Sequence, residues 1–285
     1  MHTYCTRAAP SEALPVRTVT IPSNAKWLQN GDTVVGGNGQ GSQLNQIYYP
    51  YSLCVDEDGT IYVSDRDNDR IVEWKCNAKS GQVVAGGNGR GKENNQFNCP
   101  TDAILDKKTD TLIICDYRNR RVMRWPRRGG TSGEILISNV SCERLTVDDE
   151  GFLYISSPEE HVVRRWRLKD NSVEIVAGGN GKGNRLNQLD WPTFIFVDRK
   201  QCLYVSEWNN NRVTMWMKGA NEGIAVAGGN ESENDSAQLN RPAGLLVDQS
   251  GTVYVTDHGN NRVLCWPKGC KKGRVVVGGN GRGNQ

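Results

Sequence analysis

The sequence predicts an all-β chain: a β-propeller of four-stranded antiparallel blades, with five complete blades and an incomplete sixth. Three markers recurring in step carry that reading. Tryptophan stands at Trp74, Trp125, Trp166, Trp216 and Trp266, separated by 51, 41, 50 and 50 residues. Gly-Gly-Asn begins at Gly36, Gly86, Gly178, Gly228 and Gly278, with gaps of 50, 92, 50 and 50. An apolar–Asp pair keeps the same step at Val55-Asp56, Leu105-Asp106, Val147-Asp148, Val197-Asp198 and Val247-Asp248. The gap of 92 is one period of 50 plus one of 42, so one copy lacks its glycines. Self-similarity at a fixed period marks a tandem array, and four-strand units of this length are what a propeller repeats radially.

The fifth unit shows how each blade is written. Pro242-Ala243-Gly244-Leu245-Leu246-Val247 is an apolar first strand, and Gly251 supplies the tight turn after it. Thr252-Val253-Tyr254-Val255-Thr256 has the β-branched and aromatic composition favoured in strands. A turn at His258–Asn261 leads to Arg262-Val263-Leu264-Cys265-Trp266, and Arg274-Val275-Val276-Val277 is the fourth strand. Complete units start near residues 50, 100, 142, 192 and 242. Residues 25–27 and 32–36 resemble only the last two strands of a sixth. Its first two are expected either in degenerate form within residues 3–22 or outside this chain; the apolar-poor stretch 6–15 favours the second. The division expected is a poorly patterned segment 1–24 and a propeller over 25–285, itself one part of a longer polypeptide.

Composition narrows the function classes. Hydrophobic residues make up 36%, ordinary for a globular chain once glycine is added, while glycine itself, 32 of 285, is in surplus. No apolar run approaches membrane-spanning length. The first residues show no apolar signal-peptide core, and a leader lost ahead of them is an equal expectation, so the compartment stays unknown from the sequence. Net charge is +3, from 35 basic and 32 acidic side chains, which argues against a dedicated polyanion binder. The nine cysteines include no CxxC pair, so neither a closed zinc site nor a thioredoxin-like motif is indicated. Cys54, Cys115 and Cys202 lie in apolar runs and read as buried thiols, while Cys265 and Cys270 flank a turn that a bridge would close.

A second pattern concerns charge. Asp65 with Arg70, Asp116 with Arg121, Glu207 with Arg212, and Asp257 with Arg262 recur five residues apart, across the turn between strands two and three. In the third unit Ser157 and Val162 replace both partners together. Joint loss is expected of a paired interaction, because removing one partner strands the other charge. These eight residues are therefore read as structural carboxylate–guanidinium pairs rather than catalytic acids. The five tryptophans are expected to pack between neighbouring blades.

The combination of Pro, Val-Asp, Tyr-Val-Ser/Thr-Asp, Asn-x-Arg-Val and Trp resembles the NHL repeat over roughly residues 27–285. The resemblance implies a six-bladed propeller. Some propellers of this kind are lyases with a histidine-bound zinc, propeller lactonases hold calcium, and some NHL propellers bind RNA through a basic face. Only His2, His161 and His258 are present, in different registers, so a three-histidine metal site is not indicated. Gly86-Gly87-Asn88-Gly89-Arg90-Gly91-Lys92 mimics a phosphate-binding loop, but Glu93 follows it and no helix begins there. No catalytic residue, cofactor or metal ligand is assigned. By strand parity the linker before strand one and the turn between strands two and three share a face. There the residue after each acid changes from blade to blade: Arg66, Tyr117, Pro158, Trp208 and His258, with Arg118 and Arg120 nearby. Constant framework with variable turn residues is how a repeat scaffold builds a binding surface. Arg66, Tyr117, Arg118, Arg120, Trp208 and His258 are the expected ligand-face residues. A protein or peptide partner leads; RNA, and a hydrolase or lyase with a metal in the central channel, are the alternatives. The third unit, short of its glycines, is expected to leave a notch in that face.

Overall fold

The computed structural model describes residues 20–22, 25–27, 31–229 and 237–281. Residues 1–19, with His2 and Cys5, lie outside it, as do residues 230–236. Five four-stranded antiparallel sheets are present, each meandering in chain order. The first holds β1 (Pro50–Val55), β2 (Ile61–Asp65), β3 (Arg70–Trp74) and β4 (Gln82–Gly86). The second holds β5 (Pro100–Asp106), β6 (Thr111–Asp116), β7 (Arg121–Pro126) and β8 (Glu134–Ser138). The third holds β9 (Arg144–Val147), β10 (Leu153–Ser157), β11 (Val162–Arg167) and β12 (Ser172–Gly178). The fourth holds β13 (Pro192–Val197), β14 (Leu203–Glu207), β15 (Arg212–Trp216) and β16 (Ile224–Gly228). The fifth holds β17 (Pro242–Val247), β18 (Val253–Asp257), β19 (Arg262–Trp266) and β20 (Arg274–Gly278). The third sheet starts at Arg144 rather than Cys142. Residues 25–27 and 32–36 form no strands; a hairpin without flanking partners is marginal in water. Trp27 instead rests on Tyr254, ring centres 6.0 Å apart.

The chain divides into two compact units, one of residues 1–14 with Asp32–Leu145, the other of Pro15–Gly31 with Thr146–Gln285. In the first, Tyr62, Ile71 and Ala85 of one blade pack on Phe97, Ala103, Leu112, Ile114, Met123 and Trp125 of the next. In the second, Tyr154, Val163 and Ala177 meet Leu189, Ile195, Val205 and Trp216. Tyr204, Val213 and Ala227 likewise meet Leu239, Val255, Leu264 and Trp266. β6, β10 and β14 are buried along nearly their whole length, and such strands read as near-continuous apolar runs, whereas β18 alternates buried with half-buried residues.

The repeated aspartate also has a local cause. Asp148 Oδ1 accepts the N–H groups of Glu150 and Phe152, Asp198 Oδ1 those of Lys200 and Cys202, and Asp248 Oδ1 those of Ser250 and Thr252. An aspartate that caps its own turn satisfies donors the hairpin leaves open. Within the glycine linkers, a Cβ at Gly86 (φ +71°) would stand 2.4 Å from the Phe97 ring and 2.6 Å from the Asp69 carbonyl oxygen. This glycine meets two needs at once, a left-handed φ and a close approach.

The disulfide corrects the sequence reading. Cys115, expected as a buried thiol, is bonded to Cys142, 27 residues on. Cys265 and Cys270 are not bridged. Closing a loop of 27 residues is worth about 3–4 kcal/mol by chain entropy. Cys115→Ala/Cys142→Ala should therefore lower the urea midpoint of the oxidised protein. Addition of a strong reductant to the parent should reproduce most of that shift and leave the variant unmoved.

Candidate functional site

The site is built on the turn between the second and third strands of each blade. Four acids close their strands and four arginines open the next, directly opposite in register. Arginine Nε stands 2.7 Å from Asp65, 2.7 Å from Asp116, 2.8 Å from Glu207 and 2.7 Å from Asp257. All eight side chains are buried. Ser157 and Val162 face one another at the same register in the third blade.

The guanidinium groups also reach the linker before their own blade. Arg70 donates to the carbonyls of Ser42, Gln43 and Gln46, and Arg121 to those of Lys92, Glu93 and Gln96. Arg212 donates to Asn184, Arg185 and Gln188, and Arg262 to Gln238. The second acid oxygen, or an asparagine beside it, takes further linker groups: Asp116 Oδ1 accepts from Asn98 N, and Asn119 donates to both Asp116 and Gly91 O. Burial pushes the Asp116 carboxyl up against the pull of these donors. Each linker is thus pinned by its own blade. The phosphate-loop lookalike falls under the same scheme, with Asn88 and Gln96 tying it across its base.

This arrangement also accounts for the exception. The linkers before blades two, four and five run over residues 87–99, 179–191 and 229–241, whereas only 139–143 precede the third. Where the long linker is missing, so are the acid and arginine that would hold it.

A left-handed residue follows each short turn: Asp69, Arg120, His161, Asn211 and Asn261, with φ of 51–56°. Another precedes each first-strand proline: Tyr49, Cys99, Trp191 and Arg241. The two sets bond between adjacent blades. Cys99 N donates to Asp69 Oδ1 at 2.8 Å, Trp191 N to His161 Nδ1 at 3.2 Å, and Arg241 N to Asn211 Oδ1 at 2.9 Å. Asp, Asn and His tolerate this conformation and carry an acceptor, so one residue sets the turn and the blade spacing together.

On this frame sit the variable residues. In the second unit Trp208 contacts His258 of the next blade, ring centres 5.0 Å apart, and the Arg241 guanidinium lies 6.0 Å from the Trp208 ring. Trp191 is exposed beside them, and its carbonyl accepts the Trp208 N–H at 3.1 Å. Pro158, by contrast, is buried and offers nothing to a ligand. In the first unit Tyr117 is half-buried, and Arg118 and Arg120 are exposed. Arg66 lies against Tyr49 and Tyr51, 5.2 Å from each ring centre. Sequence reasoning missed Tyr49, Trp191 and Arg241, although each immediately precedes a first-strand proline and so forms a second variable register. It also missed Tyr51, Glu143 and Arg144. Tyr51 donates its hydroxyl to Glu143, and the Arg144 guanidinium lies 4.4 Å from the Tyr51 ring centre. Burial raises both the Tyr51 phenol and the Glu143 carboxyl. Among the described residues no three His, Cys, Asp or Glu side chains gather as a metal would require.

Fold and face together define a β-propeller. Residues 239–266, which span the start of the fifth blade, match the NHL repeat model. No curated protein matches the sequence. Solved structures do. A chain of the nidogen/laminin complex is 15% identical, with TM-score 0.63 and 80% of each chain covered. The gluconolactonase XC5397 of Xanthomonas campestris is 18% identical, with TM-score 0.63, over 95% of this chain and 90% of that one. A streptogramin B lyase is 13% identical, with TM-score 0.53, over 76% of this chain. This chain spans 64% of that lyase and 66% of the virginiamycin B lyase of Staphylococcus aureus. At these identities the likeness is one of fold.

Proposed function

We propose that the chain is a non-catalytic interaction module that binds a protein or peptide on the face bearing the long linkers. One observation carries this reading: the acid–arginine frame is buried and repeats, while the residues it displays are accessible and differ between blades. Trp208, His258, Arg241 and Trp191 form an aromatic and cationic group of the kind that dominates interface energetics. Resemblance to a lyase and a lactonase supplies the same scaffold and no catalytic residue.

The test is binding to a partner isolated with the intact protein. Trp208→Ala is expected to weaken that complex by about 2 kcal/mol, roughly thirtyfold, without moving the thermal midpoint. Stoichiometric zinc or calcium in the purified protein, or affinity unchanged by loss of Trp208 and His258, would overturn the proposal.

A further inference from the structure

Arg66 differs from the framework arginines in having donors to spare. Its guanidinium lies 5.2 Å from the ring centres of both Tyr49 and Tyr51, which stack on one another at 6.4 Å and 20°. A cation–π contact uses no guanidinium N–H as a hydrogen-bond donor. Among the described residues Arg66 makes no side-chain hydrogen bond, and its Nε is buried without a partner. The Asp67 carboxylate stands 4.0 Å from that Nε, too far for one.

The surface beneath Arg66 is fixed. Tyr51 is held by Glu143 through its hydroxyl, and by Arg144 Nη2, which donates to its carbonyl at 2.6 Å. Arg144 and Arg66 both face the Glu143 carboxylate, and Arg66 faces Asp67 as well, with a hydrogen bond from Arg66 to neither. A guanidinium packed against two aromatic rings, partly exposed and with no hydrogen-bond acceptor, suits a planar, two-oxygen partner. Asp67 and Glu143 nearby disfavour a dianionic phosphate and tolerate a single negative charge.

The geometry points to a carboxylate subsite: Arg66, seated on Tyr49 and Tyr51, receives the carboxylate of a bound peptide. That carboxylate is a chain terminus or an acidic side chain. The inference rests on the interaction-module reading and names its chemistry.

The probes are three pools of short fluorescein-labelled peptides: free C-termini without Asp or Glu; amidated C-termini with one internal Glu; and amidated C-termini without acids. The intact protein is expected to retain one of the acid-bearing pools about tenfold better than the acid-free pool. Which pool is retained tells terminus from side chain. Arg66→Ala and Arg66→Gln should erase that preference and Arg66→Lys keep part of it, all with thermal midpoints near that of the parent. Equal retention of the acid-free pool, or a preference that survives Arg66→Gln, overturns the carboxylate subsite but leaves the interaction module standing. Retention of no pool overturns both. Arg66-dependent binding of oligouridylate that displaces the peptides overturns the subsite in favour of nucleic acid.

Discussion

Arg121→Val is expected to destabilise the protein by about 3–5 kcal/mol, because it leaves a buried carboxylate without its cation. Asp116 is fully buried, and its closest charged partner is Arg121 Nε at 2.7 Å. The same substitution strips donors from the carbonyls of Lys92, Glu93 and Gln96. The third blade supplies the control. Asp116→Ser combined with Arg121→Val recreates the Ser157 and Val162 arrangement. It should recover about 1–2 kcal/mol of the single variant's loss, since no stranded charge remains. A double variant no more stable than Arg121→Val would show that the carboxylate was not the source of the penalty. The deficit also depends on pH. Burial already holds Asp116 above the ordinary carboxylate value, and loss of Arg121 pushes it the same way. A carboxyl whose folded pKa exceeds its unfolded one adds stability below the unfolded value and loses it as pH rises through the folded one. Denaturant curves should therefore show the Arg121→Val deficit shrinking toward about pH 4 and widening toward neutrality.

Trp125→Ala is expected to cost about 3–5 kcal/mol through the cavity it opens. The indole is 1% exposed and packs on Phe97, ring centres 5.4 Å apart, within the cluster that joins the first two blades. Its Nε1 donates to Gly130 O at 3.3 Å, so the polar atom is satisfied as well as the ring. Trp125→Phe, which keeps most of the volume, should lose distinctly less. Equal losses for the two would point away from packing. Chemical denaturation followed at constant m-value distinguishes the outcomes.

Much of the fold was legible because each marker does a local job. The apolar–Asp pair ends a strand and caps its turn, Gly-Gly-Asn begins a linker that needs positive φ, and Trp closes the third strand against the neighbouring blade. Such tasks leave a mark at a fixed spacing. What stayed hidden was decided by contacts distant in sequence. Tyr51 meets Glu143 across 92 residues, and the two belong to no repeated motif. Cys142 lies in the one linker that departs from the pattern, so spacing gave it no partner. The left-handed residues before proline were invisible because Tyr, Cys, Trp and Arg carry no preference for that conformation; the linker imposes it. The strands expected at 25–27 and 32–36 share the pattern of the last two strands of a blade, but pattern alone does not supply the sheet they would join.

Because each long linker, among the described residues, is anchored by its own blade, linker, acid and arginine behave as a single cassette. The third blade is what remains when a cassette is removed whole: a short connection, Ser157 and Val162, with Cys142 of that connection bonded to Cys115. Gain or loss of one member alone would pass through a stranded buried charge or an untethered loop. Change in this architecture is therefore easiest in whole cassettes, while the displayed residue right after each acid lies outside the cassette and can vary one substitution at a time.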